Sequence, residues 1–177
     1  MKTEFEVRFL EINVKGIEDK LNALGAKEIG NWKQKRNTYD LIPKKENSWL
    51  RLRNNGEKTT LTIKEILTDK IDGTKELEIE VNDFDETALI LRKIGLQERN
   101  YQENKRHQFL LNGVEVDIDC WPLIPAYLEI EGESEEEIKK VASLLELNYS
   151  KAITMDVTDI YNKIYNIDIL NIKVLKF

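Results

Sequence analysis

The sequence predicts an α+β fold: a closed, mainly antiparallel β-barrel with a charged interior and helices packed outside. Two observations carry this. Short segments that alternate charged and apolar residues recur along the chain, the period-two pattern of a strand with two unlike faces. Between several of them stand Asn-Gly or Asp-Gly dipeptides, which favour tight connections between antiparallel neighbours.

The first segment is the clearest. In residues 4–9, Glu4, Glu6 and Arg8 share one parity, and Phe5, Val7 and Phe9 the other. The pattern returns at 49–53, 60–64, 76–81, 102–109, 115–119 and 127–131. A further strand is expected over 28–40, where Trp32, Tyr39 and basic residues mix less cleanly. Turns fall at Asn54-Asn55-Gly56, Asp72-Gly73 and Asn112-Gly113.

Helices separate some of these strands. Over 14–24, Ile17, Leu21 and Leu24 recur at helical spacing, with Asn13 placed to cap the start and Gly25 to end it. A second helix is expected over 86–94, stopping at Gly95. Ser134 with Glu137 forms a capping-box pattern for a third, which buries Ile138, Val141, Ala142 and Leu145. A short fourth spans 159–165. A weak repeat emerges: a strand with paired acids followed by a helix occurs three times, from Glu4, from Glu78 and from Glu129.

At 177 residues the chain fits one domain, 1–177, with a core over about 3–147 and an extension, 148–177, expected to pack on the barrel. Hydrophobic residues at 41% supply a core, which excludes a disordered chain. The net charge of -6 argues against a general nucleic-acid binder, so any anion site must be a local gathering of Arg and Lys. The single Cys120 excludes an intrachain disulfide. No apolar run approaches the ~20 residues of a membrane span, and the N-terminus lacks the apolar stretch of a signal peptide. A cytoplasmic protein without membrane association is expected, and a homodimer stays open.

The charges are sorted by sign. Acids fill 4–6, 76–80, 115–119 and 129–131; bases stand at Arg8, Arg51, Arg53, Lys64 and Arg106. A solvated sheet face also alternates charge with apolar residues, and cross-strand ion pairs there contribute only about 0.2–1 kcal/mol each. Two features weigh against that reading. Same-sign charges two residues apart repel unless a ligand relieves them, and Arg has the planar fork that captures phosphate oxygens. Glu4 with Glu6, and Glu129 with Glu131, offer the hard oxygen ligands that Mg²⁺ or Mn²⁺ takes. His107 has the parity opposite to Arg106, so packing outweighs catalysis for it, and Cys120 reads as a small hydrophobe.

These residues carry a family resemblance. Glu4-x-Glu6-x-Arg8 resembles the ExExK signature of the CYTH superfamily, the triphosphate tunnel metalloenzymes, with Arg8 in place of Lys. The likeness continues in order through Leu50-Arg51-Leu52-Arg53, Leu61-Thr62-Ile63-Lys64, Glu76-x-Glu78-x-Glu80, Arg106, Asp119 and Tyr127-Leu128-Glu129-Ile130-Glu131. It implies an eight-stranded tunnel in which Arg8, Arg51, Arg53, Lys64 and Arg106 bind phosphate, Arg53 and Lys64 holding the catalytic role. It implies Glu4, Glu6, Glu129, Glu131 and Asp119 as ligands of Mg²⁺ or Mn²⁺, supported by Glu78, Glu80 and Asp117. Where the superfamily often carries Lys-x-Arg this chain reads Asn104-Lys105-Arg106, which leaves one expected phosphate contact without its base.

The expected substrate is a small triphosphate: ATP, thiamine triphosphate or inorganic tripolyphosphate. Class IV adenylate cyclases make cyclic AMP and pyrophosphate with the apparatus that other relatives use for hydrolysis, and the motifs do not separate the two. A non-catalytic polyphosphate- or nucleotide-binding module is the alternative. A barrel held together by internal ion pairs alone is the third reading.

Overall fold

The computed structural model describes residues 1–177. Eight strands form the barrel: β1 Lys2–Phe9, β2 Lys27–Asp40, β3 Ser48–Asn54, β4 Thr59–Ile66, β5 Thr74–Val81, β6 Glu98–Leu111, β7 Val114–Cys120 and β8 Tyr127–Gly132. They run in the order β2-β3-β4-β5-β1-β8-β7-β6, and β6 pairs back onto β2 to close the ring. Every one of these pairings is antiparallel. Closure removes most of the unpaired strand edge that an open sheet would expose.

Turn chemistry sets the register. Asn112 and Gly113 both take positive φ, 53° and 86°, the left-handed pair that matches the twist of β6 and β7 in a two-residue hairpin. At the β3–β4 turn the Asn55 side chain accepts from the amides of Glu57 and Lys58.

The hydrophobic core lies outside the barrel. Helix α1, Val14–Ala23, and helix α3, Glu135–Leu144, lay Ile17, Leu21, Ile138, Val141 and Ala142 on the outward faces of β1, β6, β7 and β8, where Val7, Phe109, Val116 and Ile130 are buried. Helix α2, Phe84–Lys93, covers Tyr39, Leu50 and Leu52 on β2 and β3. Each buried side chain of this size contributes about 1.5–3 kcal/mol, so the outer layer holds the charged interior in place.

Local differences from the sequence reading have simple causes. Helix α1 ends a residue earlier, leaving Leu24 as an exposed cap. Helix α2 begins two residues earlier because Asp83 caps it, accepting from the Glu86 amide at 2.7 Å. At α3 the Ser134 hydroxyl accepts from the Glu137 amide at 3.4 Å, but the Glu137 carboxylate accepts from Glu133 rather than from Ser134. The fourth helix starts at Val157 as α4, Val157–Asp159, capped by Asp156, and continues as a π turn, Ile160–Ile164. A two-residue β9, Val174–Leu175, pairs parallel with β6 and has no period-two signal of its own.

The C-terminal segment crosses the end of the barrel where β1 finishes and β8 begins. Tyr161, Ile169 and Leu175 bury against Trp121 and Tyr127. Asn100 donates to the Ile169 carbonyl at 3.2 Å, and Arg8 donates to the Met155 carbonyl at 2.8 Å. No helix is long and apolar enough to cross a membrane.

Candidate active site

One parity of every barrel strand faces inward, and strand order decides which charges meet. Bases gather on one wall: Arg36 on β2, Arg51 and Arg53 on β3, and Lys64 on β4. Acids gather opposite, on β5, β1, β8 and β7, with Arg8 and Arg106 set among them. All the site residues expected from the sequence lie on this inner face. Lys64 Nζ is 3.0 Å from Glu4, and Arg51 is 2.9 Å from Glu76. Arg53 is 3.5 Å from Glu78, which also accepts from Thr62 at 2.6 Å. Arg8 bridges Glu6 at 2.7 Å and Glu129 at 2.6 Å. Arg106 is held by Asp117 at 2.5 Å, Asp119 at 2.5 Å and Glu129 at 2.9 Å. Glu80, at the rim beyond Glu78, is exposed and makes no ion pair.

The interior is thus filled by its own ion pairs. An open cavity of about 600 Å³ lies outside the barrel, between the end of β1, the start of α1 and the turn at Tyr149–Lys151, and no inner charge lines it. A ligand entering the tunnel must exchange with acid–base pairs already there.

Sequence reasoning missed Arg36. It is buried, yet no carboxylate pairs with it. Its Nη2 donates to Gln34 at 3.0 Å and to Asn104, its Nε has no partner, and its guanidinium lies 4.6 Å over the Trp121 ring. Burial, followed by Arg51, Arg53 and Arg106, holds its pKa well below the usual guanidinium range. Arg51, followed by burial and Arg106, lowers Arg53 to about 10. Arg51, Arg53 and Arg106 each have carboxylate partners, so Arg36 alone on this face is an uncompensated buried cation, the environment that a bound anion relieves. The available signal was parity: Arg36 shares the inner face with Trp32, Gln34 and Thr38, in the strand whose alternation is least clean. Asn104, which stands where a base was expected, accepts from Arg36 and donates to Asp119 at 3.1 Å, so Arg36 reaches the vacated position from the neighbouring strand.

The CYTH domain family matches residues 2–159. This chain belongs to the CYTH family. No curated protein matches it at a significant level. Among solved structures, a protein of Pyrococcus horikoshii OT3 is 28% identical with a TM-score of 0.74, over 86% of this chain and 96% of that one. A proposed adenylate cyclase of Vibrio parahaemolyticus shares the fold at 13% identity and a TM-score of 0.76, covering 91% and 98%. A proposed adenylyl cyclase from Hippeastrum, described as having a dominant triphosphatase activity, shares it at 15% identity and a TM-score of 0.62, covering 93% and 96%.

The acidic wall of this CYTH barrel has the chemistry of a metal site without a preformed cage: no three acidic, His or Cys side chains are arranged to hold an ion. Burial, followed by a hydrogen bond with Glu76 and the charge of Glu131, raises Glu4 to about 8 even though Lys64 opposes it. Burial, followed by Glu129, raises Glu131 to about 7. These carboxyls retain protons because the neighbouring bases do not neutralise them, which is the environment a divalent cation relieves. Glu4 and Glu131 are in that position, and Glu6, bonded to Arg8, shares their face directly opposite Glu131 across the β1–β8 pair. Glu129 and Asp119 are engaged by Arg8 and Arg106, and Glu129 is held well below the carboxylate range, Arg8 and Arg106 outweighing its burial.

The two remaining reactive residue types stand outside the tunnel. His107 bonds Glu18 at 2.9 Å and Glu28 at 3.0 Å on the outer face. Cys120 is half-buried, and burial pushes its thiol up, away from a nucleophilic thiolate.

Proposed function

We propose that this CYTH protein is a metal-dependent enzyme that transfers a phosphoryl or nucleotidyl group from a triphosphate lying along the basic wall of its tunnel. The observation that carries the reading is the buried, carboxylate-free Arg36 beside Arg51, Arg53 and Arg106. Several kcal/mol of uncompensated cation in a folded interior calls for a multiply charged anion.

Arg36, Arg51 and Arg106 fix the phosphate chain by charge-assisted bonds, while Arg53 and Lys64 meet the charge that develops during transfer. Arg8 holds Glu6 and Glu129 in place on the acidic wall. Glu4, Glu6 and Glu131 would hold a divalent ion, which would supply further charge neutralisation on the phosphate oxygens. Phosphoryl chemistry needs alignment and charge more than a covalent nucleophile, which suits a tunnel lacking a Ser-His or Cys-His pair. Hydrolysis, by attack of water on the terminal phosphorus, is the leading reaction; the triphosphatase activity of the Hippeastrum relative supports it. Cyclisation, by attack of a ribose 3′-hydroxyl on the α-phosphorus with loss of pyrophosphate, uses the same residues.

The test is a panel of ATP, GTP, thiamine triphosphate and tripolyphosphate with Mg²⁺ or Mn²⁺, read for phosphate release and for cyclic nucleotide. Turnover that Arg53→Ala abolishes is expected. Tight binding with no product from any substrate would assign the chain to the non-catalytic polyphosphate binders instead.

A further inference from the structure

The inner face of β2 continues beyond the phosphate-binding cations. Trp32 has the same parity as Arg36 and lies directly opposite Arg106 across the β2–β6 pair. Strand β3 ends at Asn54, opposite Lys35, so Trp32 has no β3 neighbour and stands at the rim of the tunnel. Along the β2–β6 pair it lies six residues from Thr38, whose partner Asn100 contacts the C-terminal segment. The indole is only partly buried.

Trp32 rests on a made space. A Cβ added to Gly30 would lie 2.1 Å from the Trp32 ring, so the glycine is required by the indole's position against the backbone rather than by a left-handed φ. Opposite Gly30 on β6 is Gln108, whose amide donates to Glu115 at 2.8 Å in an exposed pair. At the next inward position of β6 beyond Arg106, the partner of Trp32, the sheet thus carries an amide and a carboxylate, the groups that donate to and accept from the edge of a ring bearing an amine.

We propose that Trp32 is the platform on which the organic group of the substrate stacks, and that this group is a flat nitrogen heterocycle read at its edge by Gln108 and Glu115. The proposal rests on the triphosphate reading above and narrows it to triphosphate esters over inorganic tripolyphosphate. With the phosphates between Arg36 and Arg106, the ester end emerges beside Trp32. Adenine and the aminopyrimidine of thiamine both have the required shape, since every such ring offers a π-face to an indole.

The experiment is calorimetric binding of ATP, thiamine triphosphate and tripolyphosphate to the metal-free full chain, where nothing turns over. Trp32→Ala should weaken the esters roughly ten-fold or more and leave tripolyphosphate within about two-fold, and Trp32→Phe should keep most of the ester affinity. Gly30→Ala, which displaces the indole, should reproduce Trp32→Ala. ATP should quench tryptophan fluorescence in the wild type, tripolyphosphate should not, and Trp32→Phe should lose the effect. Equal losses for all three ligands, or none in Trp32→Ala, would overturn the platform while leaving the triphosphate site intact. Failure of tripolyphosphate to bind the wild type would overturn both.

Discussion

Arg36 and Arg53 stand directly opposite each other across the β2–β3 pair, two like charges on one inner face. Opposed like charges destabilise a sheet, and burial enlarges the effect. The arrangement is consistent with a fold that keeps a strained cationic site for a ligand.

Arg36→Gln therefore separates stability from binding. The unliganded protein should melt no lower than the wild type, because the variant removes a repulsion. Tripolyphosphate affinity should fall roughly ten- to hundred-fold, the worth of one or two charge-assisted bonds. Parallel melts with and without ligand check both signs; a large drop in the unliganded melting temperature would contradict the account.

Arg106→Ala should behave in the opposite way. It strands Asp117 and Asp119 and leaves Glu129 to Arg8 alone, and removing one partner of a buried ionic cluster costs about 3–5 kcal/mol. Urea unfolding at pH 7 measures this, and acidification should recover part of the loss as the stranded acids protonate. Burial already raises Asp117 to about 8, despite the opposing charge of Arg106.

Glu4→Gln should leave stability nearly unchanged near neutral pH, since the amide imitates the protonated carboxyl that burial and Glu76 favour there. Its divalent-metal affinity should drop at least ten-fold by titration calorimetry. An unchanged metal affinity would remove Glu4 from the proposed ligand set.

Stability should fall as pH rises through neutrality. Glu131 moves from 4.5 to about 7 on folding, and Glu4 and Asp117 shift the same way, so the folded chain binds more protons over that window. Their contribution is complete below about pH 4.5 and is lost as pH passes 7 to 8. The metal-free protein should melt lower at pH 8 than at pH 5.5, and Mg²⁺ or Mn²⁺ should restore stability chiefly at pH 8, with proton release on binding. Differential scanning calorimetry across that range decides it.

Ile169→Ala should destabilise by about 2–5 kcal/mol, the range for a fully buried aliphatic side chain whose site cannot collapse. Ile169 belongs to the segment over the closed end of the barrel, where its carbonyl accepts from Asn100. Denaturant midpoints measured against an exposed control such as Leu170→Ala would show whether that segment is integral to the fold.

Much of the molecule was legible along the chain. Residues 4–9 announced both faces of β1, and Ser134 with Ile138, Val141 and Ala142 announced α3, because periodicity and capping are properties of neighbouring residues. The charged parities of β3, β4, β7 and β8 likewise marked the tunnel lining before any strand was paired. Arg36 was harder, since β2 interrupts its alternation with Asn37 and Thr38, which are buried by neighbours distant in sequence.

What the residues determined alone was the set of strands, the parity of each, and an interior rich in both signs of charge. Tertiary structure alone decided which charges meet: that Arg36 faces Arg53, that Asn104 links Arg36 to Asp119, that the last residues pack over one end, and that Trp32 lies on Gly30 at the rim. Strand order and barrel closure set those meetings. They depend on contacts between segments as far apart as β2 and β6, and side-chain alternation within one strand carries no information about its neighbour.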